Sequence, residues 1–245
     1  MNNALYIKAG RLLYAIAMLA IGIIDIVTHH FPAGLLPVPA DLPAKTILTY
    51  VSGGTMILTA TWMLVKPNSY QGSLTAVLIW LVLLVSIHLP KLLPDLQNGG
   101  EWAAALEVIA FLCGALIITG INQSGGGALL IRTGHYVFAL ALAGFGILHY
   151  VYLNYITTLI PGWLPAKTFL AWLVMSAFFA AALSLLLKKF VQLSMSLMSV
   201  MFIIWVFILH LPRAVNAQME TEWTSLFVAL AMSGIALLVS AARNR

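Results

Sequence analysis

The chain has 245 residues, of which 62% are hydrophobic and only 8% charged, with a formal net charge of +5. A soluble domain averages roughly 45–50% apolar and about 25% charged residues, so a water-soluble globule is excluded: too little polar surface exists to cover its core. In lipid the backbone must satisfy its own hydrogen bonds, which leaves helices or closed barrels, and the continuous apolar runs at 74–89 and 169–187 lack the period of two that barrel strands need.

About 20 apolar residues cross a bilayer. The first such stretch, near 9–30, follows Lys8 and Arg11. It is too long for the apolar core of a signal peptide and has no A-x-A end, so it reads as a retained span. A proline-rich stretch, 31–43, leads into a second span at 44–65. The turn Lys66-Pro67-Asn68 precedes a third at 71–90, and Asn98-Gly99-Gly100 a fourth at 101–121. Ser124-Gly125-Gly126-Gly127 then forms a flexible midpoint link. Spans at 132–155, 166–187, 191–211 and 222–242 follow.

The halves repeat. Leu42-Pro43-Ala44-Lys45 recurs as Leu164-Pro165-Ala166-Lys167, a shift of 122. The same shift carries Pro39 to Pro161, Lys66 to Lys188, and His88-Leu89-Pro90-Lys91 to His210-Leu211-Pro212-Arg213. Removing one residue aligns Glu101-Trp102 with Glu222-Trp223. Several matches in one register indicate internal duplication, with units at 1–123 and 124–245. An even number of spans per unit keeps both copies in one orientation, a parallel repeat. The expectation is an all-α membrane protein of about eight transmembrane helices, arranged as two tandem parallel four-helix bundles.

Loop charges set the orientation. One side holds Lys8, Arg11, Lys66, Arg132, Lys188, Lys189, Arg243 and Arg245 with no carboxylate. The other mixes Lys45, Lys91, Lys167 and Arg213 with Asp41, Asp95, Glu101, Glu220 and Glu222. The positive-inside rule places the first side, with both termini, in the cytoplasm.

Several chemistries are excluded or disfavoured. A single cysteine, Cys113, rules out an intramolecular disulfide, a CxxC pair and a thiolate metal site. No basic run supports nucleic-acid binding. His29 and His30 are adjacent, so on a helix their side chains diverge by about 100° and rarely share a metal ion. Gly125–Gly127 lacks the Gly-Lys-Ser/Thr of a phosphate loop. No Ser/His/Asp nucleophile pattern stands out.

The mixed-charge side carries both repeated signatures. In each half, three span ends there would bring together a His, two cations, a Glu and a Trp: Lys45, His88, Lys91, Glu101 and Trp102 in the first, Lys167, His210, Arg213, Glu222 and Trp223 in the second. Cations and a histidine polarise carbonyl oxygens, so such a mouth suits a quinone whose tail lies among apolar helices. The same residues also have architectural roles: Pro at a helix start, snorkelling Lys, Trp in the headgroup belt and Glu on a helix N-terminus.

Polar residues within spans are costly, about 2.5–3.5 kcal/mol at mid-bilayer on insertion scales. Asp25 and His29 are four apart and would share a face of the first span. Glu107 lies six residues beyond Glu101, about 9 Å along a helix. Asp25, His29, His88 and Glu107 would converge in the first half. The second half offers His149 and His210, with Ile147 and Val228 near the Asp25 and Glu107 positions, so the first half is favoured for a site. The alternative is polar contact between helices.

The proline-rich first loop, the apolar second and third spans, and the motifs at 42–45 and 88–91 resemble the DoxX-like membrane proteins, a group that includes the DoxD subunit of thiosulfate:quinone oxidoreductase. The chain looks like two such units in tandem. The resemblance implies a four-helix unit, the bacterial inner membrane, and a place as a quinone-binding or redox-complex subunit, with quinone as the one cofactor suggested and membrane lipids and redox subunits as partners. No catalytic motif is matched. The rival readings are a transporter or lipid-binding protein, a non-catalytic scaffold, and a lipid isomerase using Glu107 and His88.

Overall fold

The computed structural model describes residues 3–123 and 125–243. Ser124 of the midpoint link and Arg245 of the basic side lie outside them. Among the described residues, eight helices are long and apolar enough to cross a membrane. They are α1 (Asn3–Thr28), α2 (Lys45–Val65), α3 (Tyr70–Leu92), α4 (Gly99–Asn122), α5 (Gly127–Val151), α6 (Lys167–Leu187), α7 (Val191–Ala217) and α8 (Glu220–Ala242). Most begin or end beyond the apolar windows, because an apolar window marks the hydrocarbon layer while the helix continues into the interface. The expected span at 132–155 begins and ends earlier, at Gly127 and Val151: the chain leaves the helix at Tyr152, and a separate short helix, Leu153–Leu159, follows.

Local sequence explains the helix ends. The Asn98 side chain caps α4, accepting from the Gly100 and Glu101 amides at 3.1 and 3.2 Å, which satisfies donors a helix start leaves free. At the starts of α2 and α6 the proline does not enter the helix. Ala44 (φ 55°) and Ala166 (φ 52°) adopt the left-handed conformation, and Lys45 and Lys167 open the helices.

The His-Leu-Pro motifs lie inside their helices rather than at the ends. A proline removes one helical N–H and its ring clashes with the carbonyl four residues back. Both copies meet this with one π-helical turn, at Leu84–His88 and Val206–His210. There the Leu89 amide bonds to the Leu84 carbonyl, and the Leu211 amide to that of Val206. Widening the turn lets α3 run through Pro90 to Leu92, and α7 through Pro212 to Ala217.

The closest helix pairs join the halves. α1 packs most extensively on α8 and α4 on α5, with α4 and α8 touching at the centre. α2 flanks α1, α6 flanks α5, and α3 and α7 cover α4 and α8. The two halves therefore share an extensive interface. α4 and α8 are the most buried helices. Between helices in lipid, close packing replaces the hydrophobic effect as a driving force, and small residues permit it. A methyl at Gly10 on α1 would lie 2.6 Å from the Gly234 carbonyl oxygen on α8, and one at Gly134 on α5 would lie 3.1 Å from the Cys113 carbonyl oxygen on α4. Cys113 is itself a buried free thiol.

Several polar groups in the core are paired. Trp80 Nε1 donates to the Tyr14 hydroxyl, which donates to the Phe111 carbonyl, both at 2.9 Å, while Trp80 and Phe111 stack at 4.4 Å. Ser199 on α7 and Ser233 on α8 bond at 2.8 Å. Asn3 and Arg243 meet at 3.4 Å, so the first and last described turns share one end of the molecule.

Candidate functional site

The end opposite Asn3 and Arg243 carries charges of both signs. In the first half it is closed by the chain between α1 and α2, whose Phe31, Leu35 and Leu36 are buried in the main core. His88, at the last position of the π turn, is fully buried beneath it. The Leu35 backbone approaches its ring, yet neither ring nitrogen has a partner in hydrogen-bond geometry. Lys91 and Glu101 form an ion pair at 3.2 Å, and the second Glu101 oxygen is buried without a partner. Trp102 Nε1 donates to the Leu96 carbonyl at 3.0 Å, tying down the turn before α4.

Asp25 is also fully buried. It sits where α1 crosses α2 through Gly22 and Gly53, and a methyl on Gly53 would lie 2.8 Å from its Cβ. The Ser52 hydroxyl approaches the carboxylate, but neither oxygen is hydrogen-bonded. His29 does not share a face with Asp25. The helix ends at Thr28, and His29 turns left-handed (φ 61°), which swings its exposed ring outward to the Tyr50 hydroxyl at 2.6 Å. The expected convergence of Asp25, His29, His88 and Glu107 therefore loses His29. Glu107 is half-buried on α4 and has no ion-pair or hydrogen-bond partner among the described residues. Lys45, half-buried at the start of α2, likewise makes no ion pair there.

The second half differs because its connection does not fold inward: no residue of Leu153–Leu159 is buried. A cavity of about 540 Å³ opens there, with Lys167, Arg213, Asn216 and Trp163 in its wall beside Ile160 and Leu209. Arg213 pairs with Glu222 at 2.6 Å. Lys167 has no ion-pair or hydrogen-bond partner for its ammonium among the described residues. His210 ends the second π turn with Nδ1 buried and unpartnered. His149 is held differently: Nδ1 contacts the Phe145 carbonyl at 2.9 Å, and the ring packs edge-on to Phe178 and parallel to Trp205.

The structure thus unites Lys91 with Glu101, Arg213 with Glu222, and Lys167 with Arg213. A second, larger cavity at the other end involves Arg132, His135, Lys188 and Arg243. In the sequence, the three cations of that set mark the orientation, and Lys188 also matches Lys66 in the repeat, but His135 stands out by neither signal. The signal that could have found them is the repeat register: Asn68 and Asn122 of the first half correspond to Phe190 and Arg243 of the second.

Eight apolar spans with buried carboxylate and imidazole groups define a multi-pass integral membrane protein. The chain matches no protein-family model, no curated protein and no solved structure.

Proposed function

We propose that the chain is a DoxX-like protein of the bacterial inner membrane, with both termini cytoplasmic, that binds a quinone as a subunit of a redox complex. The observation that carries this reading is the Lys167 ammonium, unpaired among the described residues, in the wall of the 540 Å³ cavity beside Arg213 and Asn216. A quinone head presents carbonyl acceptors and no donors. Lys167 and Asn216 supply donors, Trp163 a ring face, and Ile160, Ile208 and Leu209 apolar contact. Ligand sites are typically cavities of about 300–1,000 Å³ with a few placed polar groups among apolar walls. Arg213 is already held by Glu222, which fixes its position without leaving an uncompensated charge.

Fluorescence titration with a short-chain ubiquinone tests this, because Trp163 lines the cavity. Saturable quenching is expected in the full chain, absent in Trp163→Phe and weakened about tenfold or more in Lys167→Met, the scale of one charge-assisted hydrogen bond. Quenching that is linear in quinone, or unchanged in Lys167→Met, would refute it.

A further inference from the structure

The basic end of the molecule is built differently in the two halves. In the first, Arg11 is buried and donates to Asn122 at 3.1 Å and to Asn68 at 3.5 Å. Asn122 in turn donates to the Pro67 and Ser69 carbonyls. Two of the three guanidinium nitrogens are thereby supplied with acceptors from the chain itself, while Nε is buried without a partner among the described residues. In the second half, the positions corresponding to Asn68 and Asn122 hold Phe190 and Arg243, so two acceptors are replaced by a ring and a further cation. Phe190 turns outward and is 79% exposed.

What takes the place of that clamp is a cavity of about 1190 Å³ between α5, the α6–α7 turn and α7. Arg132, Lys188 and Arg243 line it, and no carboxylate among the described residues does. Arg132 has no hydrogen-bond or ion-pair partner among the described residues. The Lys188 ammonium lies over the face of the Tyr136 ring, at 5.8 Å, and has no ion-pair partner among the described residues. Arg243 contacts neutral acceptors, the Asn3 side chain and the Ser240 carbonyl. His135 stands in the same wall with Nε2 buried and unpartnered. Three cations gathered at one opening repel one another unless an anion lies between them. Leu193, Leu197 and Val200 on α7, and Leu129 one turn before Arg132 on α5, line the cavity and are exposed. Exposed leucines on spanning helices face acyl chains.

We propose that this cavity binds one anionic phospholipid, its phosphate held by Arg132 and Lys188 with Arg243 beside them, and its acyl chains laid along α5 and α7. Basic pockets between spanning helices on the positively charged side attract such headgroups. This cavity lies at the opposite end from the one assigned to quinone, and neither ligand depends on the other.

The test is native mass spectrometry of the full chain in detergent, titrated separately with phosphatidylglycerol, phosphatidylcholine and inorganic phosphate. Wild type is expected to keep a single phosphatidylglycerol at concentrations about tenfold below those needed for phosphatidylcholine, as two favourable cation contacts imply. The double variant Arg132→Gln, Lys188→Gln is expected to lose that preference, whereas Lys91→Gln at the opposite end keeps it. Equal retention of the two lipids by wild type would overturn the proposal without recourse to any variant. So would an unchanged preference in the double variant. Inorganic phosphate that binds as tightly as phosphatidylglycerol and displaces it would also overturn it, by assigning the cavity to a soluble anion.

Discussion

Gly10 on α1 and Gly234 on α8 lie backbone against backbone: a methyl on either would come within 2.6 Å of the other's carbonyl oxygen. They come from opposite halves of the chain, so their contact joins one half to the other. Gly10→Ala and Gly234→Ala should each destabilise the protein by about 1–3 kcal/mol, the cost of overpacking a close interface. Gly54 on α2 has nothing within 4 Å of such a methyl. There the helix propensity of alanine should prevail, and Gly54→Ala should be neutral or stabilising by up to about 1 kcal/mol. Unfolding in mixed micelles compares the three; equal effects would refute the packing account.

Ala44 and Ala166 start their helices from a left-handed conformation. A non-glycine residue there costs roughly 1–2 kcal/mol, offset for glycine by its greater freedom in the unfolded chain. Ala44→Gly and Ala166→Gly should therefore each stabilise by about 0.5–1 kcal/mol, read as a higher midpoint of thermal unfolding. Destabilisation by either would mean that the turn is not left-handed.

The arginines of the basic end should respond oppositely to the same change. Arg11 is buried and bonded to two asparagines, so Arg11→Met should cost about 1–3 kcal/mol. Arg132 is exposed at its cavity and has no hydrogen-bond or ion-pair partner among the described residues. Arg132→Met should leave stability within about 0.5 kcal/mol of wild type in lipid-free detergent. Equal losses would show that Arg132 has a structural partner.

The solvent and the eight helices were legible because continuous apolar length depends on composition alone. The 122-residue register was legible as well, and it locates matching local structure: the π turns before Pro90 and Pro212, and the left-handed turns at Ala44 and Ala166. Tertiary arrangement was not. Nothing in a periodic apolar helix says which neighbour it faces, so the pairing of α1 with α8 and α4 with α5 emerged only from the fold. His29 was misplaced because four-residue spacing brings side chains together only while the helix lasts, and α1 ends at Thr28. The motif residues are equivalent in both halves, yet their surroundings are set by two loops of different sequence. Phe31, Leu35 and Leu36 fold inward over His88, while Leu153–Leu159 buries nothing and leaves Lys167 at an open cavity.

The most direct test of quinone binding is native mass spectrometry of the full chain extracted gently from a quinone-containing membrane. Wild type should carry one quinone, lost in Lys167→Met and retained in the Arg132→Gln, Lys188→Gln variant, whose substitutions lie at the other end. A wild-type chain without quinone, or a quinone retained equally in Lys167→Met, would contradict the account.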